Sequence, residues 1–258
     1  MKTQRTSRIM ERELLNANVA PNIYEELKEA WKQESELLRE SIEKWEKPKG
    51  LLYAASHETA ELVKCMPVQS KLTKIPFRDE TKGDTTSTVA SSGCAIIVAK
   101  FLERYFDCDK AMKIRKLAEM AVELGYRGYK KQEDGTWKKM GMNHLWFDKF
   151  VPRFFGLKSQ RIADINEMVV ALQKGRVPVL RERKPGVIEE LQEGRVPVLL
   201  VKNSIYKQDP ENTDSHFVCV LGMDQHGYHL YDPELPELTR CEFERIHNAI
   251  RLGWIFSK

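Results

Sequence analysis

The sequence predicts an α+β fold in which a helical first half meets an antiparallel sheet supplied by the second half. Between residues 21 and 174, apolar residues recur at helical spacing between capping residues and glycine stops. Beyond 175 the pattern changes to β-branched runs at 176–180, 196–202, 216–223, 228–232 and 251–256. Helices followed by strands, rather than alternating with them, favour α+β over a parallel α/β sheet. A length of 258 residues, with 41% hydrophobic and 31% charged side chains, allows one large domain or one domain with an appendage and lies outside the composition of disordered chains.

Residues 21–47 predict an amphipathic helix with Leu27, Ala30, Trp31, Leu38, Ile42 and Trp45 close to one face, ended by Pro48-Lys49-Gly50. Residues 1–50 therefore read as a helical extension, either packing on or covering a domain that occupies 51–258. Residues 63–77 read as extended, punctuated by Pro67 and Pro76. Next, small polar residues lead through Gly93 into CAIIVAKFL, a buried helix whose first turn carries Cys94. Further helices are predicted at about 110–124 after the cap Asp109, at 143–155, and at 163–174 after Asp164, with Gly125, Gly156 and Gly175 as stops. The segment LQKGRVPVL at 172–180 returns as LQEGRVPVL at 191–199; two copies fall short of a solenoid and read as a local duplication of one helix-strand step.

Composition excludes several classes. The longest apolar runs, 94–99 and 196–201, cannot span a bilayer, which needs ~20 residues. The charged start MKTQRTSRIMERELL supports no secretory signal, so a cytoplasmic setting is expected, without a membrane partner. A formal charge of +4 gives no reason to expect nucleic acid. The local balance is less even: residues 110–160 hold 12 Lys/Arg against 5 Asp/Glu, and 208–244 hold 1 against 9, which reads as two solvated faces or a compensated interface. Five cysteines without a CxxC pair argue against a disulfide framework and a zinc ribbon.

A thiol nucleophile needs its thiolate stabilised, and the free N–H groups and positive dipole at a helix start supply that. Cys94 has this position, and the same N–H groups could receive an oxyanion while Gly93 lets substrate backbone approach. An unpaired cysteine there also fits as an ordinary core residue. A base is available in His216, which opens SHFVCVLG, and Asp232 ends the following run GYHLYDP. Whether the two share a sheet face is a question of parity. An even loop pairs Asp232 with Cys219 on the opposite face from His216, whereas an odd loop, with Gly227 left-handed in a G1 bulge, pairs it with Val218 or Val220 on the histidine's face.

The ordered set SSGCAIIVAKFL, LGYRGYKKQEDGTW, NHLWFDKFVPRFFGL, LQEGRVPVLLV, SHFVCVLGMDQHGYHLYDP and CEFERI resembles the papain-like cysteine peptidases related to bacterial double-glycine leader peptidases, over 75–251. The resemblance implies a papain-like fold with a cleft between a helical half and a sheet half. It also implies hydrolysis of peptide or isopeptide bonds in a peptide or protein substrate, through a thioester and without a cofactor. By position, Cys94 would be the nucleophile, His216 the base and then the acid, and Asp232 the orienting carboxylate. Ser215 stands where relatives usually carry glycine, and Asp79 or Glu80 stands near the place of their oxyanion-hole glutamine. A carboxylate donates only when protonated, so the oxyanion candidates are the Cys94 amide, Ser91, Ser92 and Glu80. The alternatives are a silent peptide-binding module that keeps the cleft, and acyl transfer by the same three residues.

The other histidines read as surface or packing residues; His226 and His229 with Cys219 or Asp224 lack a metal-ligand spacing, so no metal is expected. Trp137 and Trp146 read first as packing residues and second as cleft lining. The sequence sets no oligomeric state.

Overall fold

The computed structural model describes residues 21–46, 55–174, 194–212 and 214–258. Its elements in chain order are helices α1 (Pro21–Glu43), α2 (His57–Lys64), α3 (Val89–Ser92), α4 (Cys94–Tyr105) and α5 (Ile114–Glu123), then strands β1 (Arg127–Lys131) and β2 (Trp137–Met142). There follow α6 (Val151–Phe155), β3 (Lys158–Arg161), α7 (Ile165–Lys174), β4 (Arg195–Lys202), α8 (Asn203–Tyr206), β5 (Ser215–Met223), β6 (Tyr228–Tyr231), β7 (Thr239–Cys241), α9 (Phe243–Ala249) and β8 (Ile250–Ser257). The sheet has six strands in the order β3-β8-β4-β5-β6-β7, every neighbouring pair antiparallel, and β1 with β2 forms a separate hairpin. The chain is α+β, with a helical half on an antiparallel sheet, as its order of patterns predicts.

Strand alternation sorts the sheet into two faces. Val196, Val198, Phe217, Cys219, Trp254 and Phe256 face one core shared with α4, α5 and α6. Leu199, Val201, Val218, Val220, Leu230 and Ile255 face a second, covered by α7 and α9. Both faces are buried, which is why β4 and β5 read as nearly continuous apolar runs. Helix α1 lies against β8 and α7. Leu38 is buried there, Ser41 Oγ accepts from the Ile165 amide at 2.9 Å, and Glu34 meets Arg161 at 3.7 Å.

Several expectations shift. Residues 63 and 64 close a helix, α2, whose cap Ser56 accepts from the Thr59 amide at 3.1 Å; beyond it a 3-10 turn spans Gln69–Lys71, and the extended character survives in a bridge between Pro76 and Thr88. Helix α5 starts at Ile114 after Lys113, not after Asp109. The helix expected at 143–155 is a π turn, Trp146–Phe150, running into α6; Pro152 lacks the N–H that would close an α turn on Asp148. Gly125 and Gly156 are left-handed stops, with φ of 75° and 71°. Gly175, the strand expected at 176–180 and most of the first repeat copy lie outside the described residues, and the second copy supplies the start of β4.

Candidate active site

The tip of α4 is built by a tight junction. Helix α3 ends at Gly93, and a Cβ at that residue would stand 2.5 Å from Val89 Cγ1 and 2.6 Å from Val89 O. Gly93 is therefore demanded by the chain's own close approach. The turn places Cys94 first in α4. The Ile96 and Ile97 amides bond back to the Gly93 carbonyl, at 2.9 and 3.1 Å, and those of Cys94 and Ala95 precede the first intrahelical bond. Trp146, fully buried, donates from Nε1 to the Ala95 carbonyl at 3.3 Å and so anchors this first turn; it is a packing residue.

His216 and Asp232 reach the same place from the sheet. The β5–β6 connection spans four residues, Asp224–Gly227, with Met223 opposite Tyr228. This even loop would pair Asp232 with Cys219, but the register slips between Val220 and Gly222, so that Cys219 lies opposite Tyr231 and Asp232 falls beside Val218. The parity is thus reset by a bulge at Leu221 inside β5, not by a left-handed Gly227. Glycine at 227 answers a different need, since a Cβ there would lie 2.1 Å from the Cys241 carbonyl oxygen. With parity restored, His216 Nε2 and Asp232 Oδ1 meet at 2.7 Å, both residues buried.

Nε2 is committed to Asp232, and Cys94 is near enough to the ring to act on its charge. Burial alone would push His216 down from its ordinary 6.5. The Asp232 bond and then the neighbouring Cys94 side chain outweigh that cost and hold the imidazole up at about 10. For Asp232 burial works against ionisation too, but bonds from His216, the Glu234 amide (2.9 Å) and the Tyr206 hydroxyl (3.0 Å) keep its carboxyl below the ordinary 3.8. Cys94, His216 and Asp232 are therefore contiguous.

The other candidates hold local partners. Ser91 Oγ accepts from the Thr88 amide and donates to the Thr88 carbonyl, both at 3.0 Å, closing α3. Ser92 Oγ lies 3.5 Å from the same carbonyl. Glu80 is exposed on a 3-10 turn and pairs with Arg78 at 3.2 Å, while Asp79 accepts from the Thr81 amide and hydroxyl at 3.0 and 2.6 Å. Ser215, before the histidine, is exposed. Asp224 pairs with His229 at 2.9 Å, Cys219 is buried elsewhere on β5, and no cluster of three or more potential metal ligands occurs among the described residues. Trp137 lies under the Lys82 ammonium, 4.1 Å from ring centroid to nitrogen.

Two contributors had no signal in the sequence. Tyr206 sits in the polar stretch NSIYKQDPENTD, where nothing periodic marks it. Gln69, buried, takes the Pro233 carbonyl on its own amide at 2.7 Å and donates from Nε2 to the Ala90 carbonyl at 3.2 Å. It ties the residue after Asp232 to the turn before Cys94, across 21 and 164 positions of chain that no local pattern relates.

No family model and no curated protein matches this chain. Among solved structures, it is similar to a proposed C39-like peptidase from Bacillus anthracis, at 13% sequence identity and a TM-score of 0.46, over 65% of this chain and 89% of that one. Among the described residues, no helix is long and apolar enough to cross a membrane.

Proposed function

We propose that this chain is a papain-like, cysteine-dependent hydrolase of peptide or isopeptide bonds, with residues 51–258 as the catalytic unit and a peptide or protein as substrate. One observation carries the reading: a buried imidazole held between a carboxylate and a sulfur at a helix tip. In the reactive pair the Cys94 proton resides on the imidazole, whose charged form Asp232 supports. The sulfur then attacks the substrate carbonyl carbon, and the oxyanion forms beside the Cys94 and Ala95 amides at the positive end of α4. The imidazolium gives its proton to the leaving amine as the C–N bond breaks, leaving a thioester and a neutral ring. That ring takes a proton from water, the hydroxide adds to the thioester, and release of the acid returns the proton and the sulfur to their starting state. Asp232 stays ionised throughout and fixes the ring by Nε2.

A second reading, the silent peptide-binding module, draws on Asp79 and Glu80: both are engaged as acceptors in the segment where relatives place a side-chain donor. Alkylation separates the two. Cys65 is exposed and Cys94 is 9% exposed, so exposure favours Cys65. At mildly acidic pH an activated Cys94 reacts with iodoacetamide before Cys65, Cys108, Cys219 and Cys241; labelling in order of exposure would refute activation. Digestion of a peptide library with and without an added amine then distinguishes hydrolysis from acyl transfer by the product termini.

A further inference from the structure

We propose that Tyr206, delivered by the segment 203–212 that follows β4, is a positioning residue of the His216–Asp232 pair and holds the carboxylate and the ring in one orientation. This rests on the function proposed above only for its catalytic consequence; the positioning itself stands on geometry.

The segment begins at Asn203, whose amide donates to the Asp214 carbonyl, just before β5, at 2.9 Å. Within it, two consecutive side chains reach the strand end that carries the carboxylate. Tyr206 donates its hydroxyl to Asp232 Oδ2 at 3.0 Å, and Lys207 pairs with Glu234. The Glu234 amide in turn donates to Asp232 Oδ1. The carboxylate thus has one oxygen filled by His216 and a backbone amide and the other by Tyr206. The Tyr206 ring also lies nearly parallel to the imidazole, at 6.3 Å between centroids and 20° between planes. One side chain therefore touches both members of the pair: its hydroxyl holds one carboxylate oxygen, and its ring lies alongside the imidazole. Tyr206 is itself buried and burial drives its own ionisation far up, so it donates throughout the accessible pH range.

The titratable and charged groups facing the pair are Cys94 from α4, Tyr206 and Lys207 from the segment 203–212, Glu234 after β6, Tyr231 on β6 and Cys241 on β7. Of these, the Tyr206 hydroxyl bonds to Asp232 Oδ2. Its removal leaves a buried carboxylate oxygen without that donor and weakens the charge that supports the imidazolium.

The test is an NMR titration of the His216 ring in the full chain, compared between wild type, Tyr206→Phe and the control Tyr228→Phe, which deletes a buried hydroxyl bonded to His247 at 2.9 Å instead. Tyr206→Phe keeps the ring and its stacking. The expected result is a His216 midpoint lowered by about one pH unit in Tyr206→Phe and unchanged in Tyr228→Phe. Alkylation of Cys94 is expected to slow roughly 10-fold in Tyr206→Phe, with its acid limb moved to higher pH because Asp232 now protonates more readily. A His216 midpoint shared by wild type and Tyr206→Phe, in folded proteins, would overturn the positioning role. An unreactive wild-type Cys94 would overturn the hydrolase reading and leave the His216 comparison intact, so the two failures are distinguishable.

Discussion

His216 and His247 are both buried, both hydrogen-bonded through Nε2 and both beside a tyrosine, yet their protons behave in opposite ways. His247 on α9 bonds to the Tyr228 hydroxyl, and burial pushes it down to about 4. Burial acts on His216 with the same sign but is overcome by a carboxylate and a sulfur, which hold it up at about 10. A neutral phenol cannot repay the desolvation of an imidazolium, whereas an anion can. Equal burial therefore leaves one histidine neutral and the other charged at pH 7, and the partner at Nε2 decides which. His144, half-buried, is also pushed down to about 4, by desolvation and then by the positive Arg161, and falls with His247.

The sharpest way to break this contrast is to remove the groups that set His216 apart. Cys94→Ala is expected to lower peptide hydrolysis by on the order of 10⁴-fold or more, measured as initial rates on a cleaved peptide. Asp232→Asn should cost about 10³- to 10⁴-fold, because the imidazole loses both its charge support and its preferred tautomer. In the same variant the His216 NMR midpoint should fall by several units, towards that of His247. A midpoint left near that of wild type would mean that Asp232 does not set the behaviour of the ring.

The two histidines also oppose each other in stability. For His216 the folded value lies above the ordinary 6.5, so its contribution is complete below 6.5 and is lost as pH rises through about 10. For His247 the folded value lies below 6.5, so its contribution is present above 6.5 and is lost as pH falls towards about 4. Acidification from pH 7 to pH 5 should therefore destabilise the wild type through His247 by on the order of 1–2 kcal/mol. Thermal melts of His247→Gln, scaled to its own value at pH 7, should show a shallower acid limb, with the Tm change over that interval smaller by about 2–4 °C. Equal acid limbs would assign the acid sensitivity to other groups.

How much of this was legible in the sequence differs between these regions. The strands that became β4, β5, β6 and β8 announced themselves through β-branched runs, because both of their faces are buried. The hairpin β1–β2 did not, since RGYKK and WKKMGM carry charges on exposed positions, and pairing with each other rather than residue preference makes them strands. Likewise β3, KSQR, is a strand only because β8 offers it an edge. In the site, Cys94, His216 and Asp232 could be named because each opens or ends a patterned element. The means of bringing His216 to Asp232 could not be read, because a one-residue slip at Leu221 leaves no trace in composition. Tyr206 and Gln69 were invisible for the same reason: their bonds run to Asp232, Pro233 and Ala90, partners that only the folded chain brings near.

The smallest expected effect concerns the hydroxyls and the carboxylate considered as oxyanion donors. Ser91 spends its hydroxyl on both backbone groups of Thr88, and Glu80 spends its carboxylate on Arg78, so neither has a hydrogen directed at the tip of α4. If the Cys94 and Ala95 amides receive the oxyanion, Ser91→Ala should lower stability by about 0.5–1 kcal/mol through loss of the α3 cap, while kcat changes by less than about twofold. Glu80→Gln should leave both nearly unchanged, because an exposed ion pair contributes little. A fall in kcat of roughly 100-fold in Ser91→Ala, with KM and melting temperature preserved, would instead place that hydroxyl in the oxyanion site and require α3 to open on substrate binding.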